Sequence, residues 1–89
     1  AADYALSFAE ALYEDHDGNE DVVDLNSYLQ ALECGLDSYI VATEWTDGTF
    51  MYQFCIAGDD RMYYIACEGD EDTALDMAFN VIETFDPAA

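Results

Sequence analysis

Carboxylates are the residues with most chemistry to offer in this chain, and they come in runs. Between Glu14 and Asp24, six of eleven positions are acidic: Glu14, Asp15, Asp17, Glu20, Asp21 and Asp24. A second set is Glu68, Asp70, Glu71, Asp72 and Asp76. A third falls on predicted turns, with Glu44 and Asp47 at one end of the strands they join and Asp59 and Asp60 at the other. On a predicted helix, Asp72, Asp76 and Glu83, with Asn80 between, make a polar stripe. A step of four residues there advances about 6 Å, comparable to the spacing of phosphates along a nucleic-acid strand. Any one run makes a solvated face. The whole set, beside a single Arg61 and no lysine, predicts a surface turned toward a partner rich in Lys and Arg.

Other chemistries fit the residues poorly. Asp15 to Asn26 resembles a degenerate EF-hand loop: Asp15, Asp17 and Asn19 fall at ligand positions one, three and five, and Val22 at the apolar eighth. Glu20 stands where the sharp turn needs glycine, and Asn26 where a bidentate glutamate closes the site. That pattern predicts unspecific cation attraction, with a calcium-binding helix-loop-helix module as an alternative. His16 is the one histidine, flanked by acids and without a Ser or Cys nucleophile at a recognisable spacing. There is no Gly-rich phosphate loop and no basic cradle. The expectation is a protein without catalytic residues, metal or cofactor. Cys34, Cys55 and Cys67 form no CxxC pair, which suits small hydrophobes in a reducing cytosol better than a disulfide framework. Trp45 and the tyrosines read as core and rim of a sheet rather than as a base-stacking platform.

The total charge makes the same point. Twenty-one Asp and Glu against one Arg give −20. A compact chain of this length has a radius of gyration of about 12 Å, and duplex DNA of the matching diameter, ~31 Å, holds about 18 phosphate charges. Solubility needs a net charge of only about 2–8, and self-repulsion costs stability, so excluding basic residues so completely calls for a functional reason. Direct nucleic-acid binding is excluded by repulsion. There is no apolar run of membrane-spanning length and no start resembling a signal peptide; the expected location is the cytosol.

The elements that must position these residues follow from periodicity. Positions 1–89 read as one domain. Asp3 to Glu14 predicts a first helix with Asp3 as N-cap and a stripe of Leu6, Phe8, Ala9, Leu12 and Tyr13. After a loop at His16-Asp17-Gly18-Asn19, a second helix is expected from Asp24, with Val23 and Tyr28 as a hydrophobic staple, Leu25, Leu29 and Leu32 on its apolar side, and Gly35 ending it. Tyr39 to Cys67 predicts a three-stranded antiparallel meander. With Asp47-Gly48 as a two-residue type I′ turn, Trp45 faces Phe50, Thr43 faces Tyr52, Val41 faces Phe54 and Tyr39 faces Ile56, all eight on one sheet face. If the turn around Gly58-Asp59-Asp60 has two or four residues, Tyr63, Ile65 and Cys67 join that face, and Arg61 extends it at the rim. Gly69-Asp70 opens a third helix through Phe85, stopped before Pro87, with Leu75, Ala78, Phe79, Ile82 and Phe85 buried. The sum is an α+β fold of order α-α-β-β-β-α. The first and third helices cover the aromatic face. The second helix, or a second copy of the chain, covers the other, so monomer and homodimer are both open.

In size, near-absence of basic residues and mixed layout of helices and meander, the chain resembles the small acidic phage proteins that mimic DNA: anti-restriction proteins, a uracil-DNA glycosylase inhibitor and several anti-CRISPR proteins. The resemblance implies a DNA-mimic inhibitor acting in the host bacterial cytosol. Its carboxylates would engage the lysines and arginines that hold target DNA or read its PAM in a defence nuclease complex, a CRISPR effector being favoured, and block DNA competitively. A second alternative is a halophilic cytosolic protein, in which an acidic, lysine-poor surface is adaptation to salt.

Overall fold

The computed structural model describes residues 2–88. The order is α1 (Ala2–His16), β1 (Val22–Ala31), β2 (Asp37–Trp45), β3 (Phe50–Ala57), β4 (Met62–Gly69) and α2 (Glu71–Thr84). The strands form one antiparallel sheet in the order β1-β2-β3-β4. The expected α-α-β-β-β-α chain is therefore corrected to α-β-β-β-β-α: two helices and four strands.

The segment expected as a second helix is β1, paired with β2 from Asp24↔Glu44 to Ala31↔Asp37. Leu25 and Leu29 are four residues apart, a spacing that serves a helix face and, being even, one strand face equally well. Composition breaks the tie. Val22 and Val23 are β-branched, and Asp24, Asn26 and Ser27 are weak helix formers. Gly35 does take a left-handed φ of +97°, as a helix-ending glycine would. It does so in the β1–β2 turn, where its N–H donates to Leu32 O. Positive φ was the requirement; a helix was not.

The register of β2 with β3 also differs. Gly48 has φ +90° and no other residue of this turn has positive φ, which rules out the type I′ turn, since it needs positive φ at both central positions. Gly48 N–H donates to Trp45 O and Trp45 N–H to Thr49 O, leaving a three-residue loop, Thr46-Asp47-Gly48. The extra residue slips the pairing by one: Glu44↔Phe50, Val41↔Gln53, Tyr39↔Cys55. A slip of one sends side chains to opposite faces. Tyr39, Val41 and Thr43 thus share a face with Gln53 and Cys55, while Phe50, Tyr52, Phe54 and Ile56 join Ile40 on the other. The turn after β3 has four residues, with Ala57↔Met62 and Ile56↔Tyr63, so Tyr63, Ile65 and Cys67 do share a face with the β3 aromatics.

Each face receives one helix, rather than two helices on one face. α1 lays Ala5 and Ala9 on Val41 and Cys55, with Phe8, Leu12, Leu25, Tyr39 and Met62 around them. Cover for this face thus comes from α1, not from the expected second helix, which is a strand. α2 lays Ala78 against Phe54, Ile56 and Cys67, bordered by Val81, Ile82 and Phe85. Ala5/Ala9 and Ala74/Ala78, the buried positions of the two helices, are small and four apart, which lets each helix backbone approach a sheet that supplies the bulk. Leu75 and Phe79, expected inside, are 37% and 51% exposed. The stripe of α2 is rotated toward Ala74 and Val81. Asp3 lies in the first turn of α1 rather than before it. Asp70 is the N-cap of α2, accepting from Thr73 N at 2.8 Å. The β1–β2 turn folds onto the far end of α2, where Glu33 N–H donates to Ile82 O.

Candidate functional site: an acidic pole

An antiparallel meander delivers alternate turns to the same end. The start of β1, the end of β2, the start of β3 and the end of β4 are neighbours, through Asp24↔Glu44, Glu44↔Phe50 and Met51↔Glu68. The α1–β1 loop, the β2–β3 turn and the β4–α2 junction therefore share one pole. Each is acidic: Glu14, Asp15, Asp17, Glu20, Asp21 and Asp24 from the first; Glu44 and Asp47 from the second; Glu68, Asp70, Glu71 and Asp72 from the third. All are exposed except Glu44, which is half-buried in β2. What read along the chain as three patches is one end of the molecule carrying twelve carboxylates.

The pole is built by local hydrogen bonds. Gly18, at φ +81°, ends α1, and Asp17 N–H donates to Tyr13 O. Asn19 Oδ1 accepts from Asp21 N at 2.8 Å, and Asp21 O accepts from Thr46 N at 2.9 Å, tying the α1–β1 loop to the β2–β3 turn. Asp47 Oδ1 accepts from Thr49 Oγ1 at 2.7 Å and Thr49 N at 3.0 Å. Asp21, Asp47 and Glu68 come together around Trp45, Thr46 and Thr49 in an open cleft of about 370 Å³. His16 is not a free loop residue: it closes α1 and meets Trp45 edge-on at 5.2 Å.

Two of these carboxyls sit below the usual carboxylate range. Asp47 is held down by the Thr49 hydroxyl and backbone N–H, and Asp70 by the Thr73 N–H and hydroxyl. Tyr52 is pushed up by burial and by the charge of Glu71, so its phenol stays neutral. Burial pushes the Cys55 thiol up to about 11 and raises Cys67, which makes both poor nucleophiles.

The remaining expected site residues lie elsewhere. Asp76 is one turn beyond Asp72 on the exposed side of α2. Glu83 is near the far end of that helix, and Asp59 and Asp60 are in the β3–β4 turn at the opposite pole. Arg61 is there too, its Nε 3.4 Å from Asp60 Oδ1, the one ion pair among the described residues. The chain's only formal positive side chain thus sits as far along the strands from the acidic pole as the sheet allows.

The calcium-loop reading loses its frame, because β1 follows where a second helix is needed. Among the described residues, no group of three or more His, Cys, Asp or Glu is placed to hold a metal ion, and no helix is long and apolar enough to cross a membrane. No family model, no curated protein and no solved structure matches the chain.

Proposed function

We propose that this protein is a stoichiometric inhibitor that occupies the positively charged DNA- or PAM-binding site of a bacterial defence nuclease complex, with a CRISPR effector the favoured target. The acidic pole carries the reading. Twelve carboxylates from three connections converge with no Lys or Arg among them, so their fields add instead of cancelling. At physiological salt the screening length is about 8 Å, so close neighbours act as a group. Lys and Arg in a DNA groove would meet charge-assisted hydrogen bonds of the kind they make with phosphate. Size supports the same partner. The longest dimension of 38 Å equals a duplex segment of roughly 22 phosphate charges, against −20 here.

The test is displacement of a labelled duplex oligonucleotide from a purified effector complex. Asp21→Lys with Asp72→Lys, both at the pole, weakens competition at least tenfold and flattens its dependence on salt. Asp59→Lys with Asp60→Lys, at the other pole, changes it little. Equal effects of the two pairs would mean that net charge, not the pole, drives binding.

A further inference from the structure

α2 covers only part of its sheet face. Four strands span about 14 Å between the outer two, more than one helix of about 10 Å conceals, and α2 packs on β3 and β4. Over β1 and β2, Leu32 and Leu36 of the connecting turn join the α2 side of the core and close the end away from the acidic pole. The end at the acidic pole stays open, bordered by Tyr28, which is 43% exposed.

The strand register builds this opening in two rows. The outer row is Asp24, Glu44 and Phe50, and the next is Asn26, Ala42 and Tyr52. Ala42 is the small member of its row, so a recess of about 110 Å³ remains above it, walled by Tyr52, Phe50, Asn26 and the two carboxylates. Asp24 and Glu44 are direct cross-strand partners, a place where like charges destabilise a sheet. Asn26 Nδ2 donates to Asp24 Oδ2 at 3.2 Å and holds that carboxylate beside Glu44. Neither acid has a cation of its own, since the one ion pair among the described residues lies at the other pole. Glu71 stands close as well: after burial, its charge is what raises the Tyr52 phenol.

We infer that this recess seats an arginine side chain of the cationic partner, its guanidinium lying on the Tyr52 ring and forking onto Asp24 and Glu44. The inference rests on the acidic pole being the face that meets that partner; it adds which base is read there. Charge alone admits lysine and arginine equally. An aromatic wall beside paired carboxylates does not. A guanidinium is planar and weakly hydrated, stacks on rings and offers donors in a fixed fork, whereas an ammonium is a compact, strongly hydrated point charge.

The probes are fluorescent hepta-arginine and hepta-lysine peptides, titrated at about 0.15 M salt. Wild type is expected to bind the arginine peptide about fivefold more tightly than the lysine peptide. Tyr52→Leu, which leaves the net charge alone, brings the arginine peptide down to the lysine value, while Tyr52→Phe keeps the preference. Tyr4→Leu, at a ring 62% exposed on α1, changes neither affinity. Glu44→Gln keeps the side chain's shape and weakens the arginine peptide more than the lysine peptide, which decides the matter if circular dichroism shows Tyr52→Leu unfolded. Equal binding of the two peptides by wild type, a folded Tyr52→Leu protein that keeps the preference, or a Glu44→Gln protein that weakens both alike overturns the arginine seat. Should DNA displacement still depend on Asp21 and Asp72 in that event, the acidic pole stands as the competing surface without it.

Discussion

Cys34 is half-buried while Cys55 and Cys67 are buried, and the latter two thiols titrate high. Thiol-reactive reagents therefore label Cys34 in the native protein and reach the other two only on unfolding, which mass spectrometry with and without denaturant reads directly. Asp70 gives a second residue-level expectation. Its folded-state pKa is lowered, so its contribution to stability is present above the unfolded value of about 3.9 and is lost as pH falls through the folded one. Chemical denaturation of Asp70→Ala against wild type should show the full gap at pH 7 and a closing gap below about pH 4; a gap that widens in acid would contradict the cap. Single residues with one strong local rule were legible in advance: Asp70 at the opening of the last helix, Gly48 as a turn glycine, Arg61 at a rim. His16 was not, because nothing in its acidic neighbours announces that the ring packs on Trp45.

Among the elements, α1, β2, β3, β4 and α2 were all recognisable from their periods, and β1 was not. Leucines at a spacing of four fit both periods, and the weak helix propensities of Asp24, Asn26 and Ser27 had to be weighed against them. The one-residue slip at the β2–β3 turn was equally hidden, since Asp-Gly serves two- and three-residue loops alike. Its consequence is that Val41, expected beside Phe54, lies on the α1 side, while Phe54 packs on the α2 side of the core, in a cluster with Leu32, Ile40, Ile56 and Ala78. Phe54 is fully buried. Phe54→Ala should cost about 3–5 kcal/mol in urea unfolding, a large part of the roughly 5–15 kcal/mol of a typical domain. A loss under about 1 kcal/mol would place the residue outside a packed interior.

For the whole molecule, repulsion among exposed acids opposes compaction. Added salt in the hundred-millimolar range should raise the melting temperature while the protein remains folded in dilute buffer. Unfolding whenever molar salt is withdrawn would instead fit the halophilic alternative. The polarity of the molecule could not be read from composition, because it depends on which connections the chain makes at which end. An up-and-down path visits its two ends in turn, so the acids of every other connection accumulate while those of the connections between them fall on the far side. Moving the carboxylates of the β2–β3 turn into the β1–β2 turn would leave length, composition and formal charge untouched, yet spread the field evenly over both ends. Such an isomer would separate how much charge the molecule has from where the chain's parity puts it.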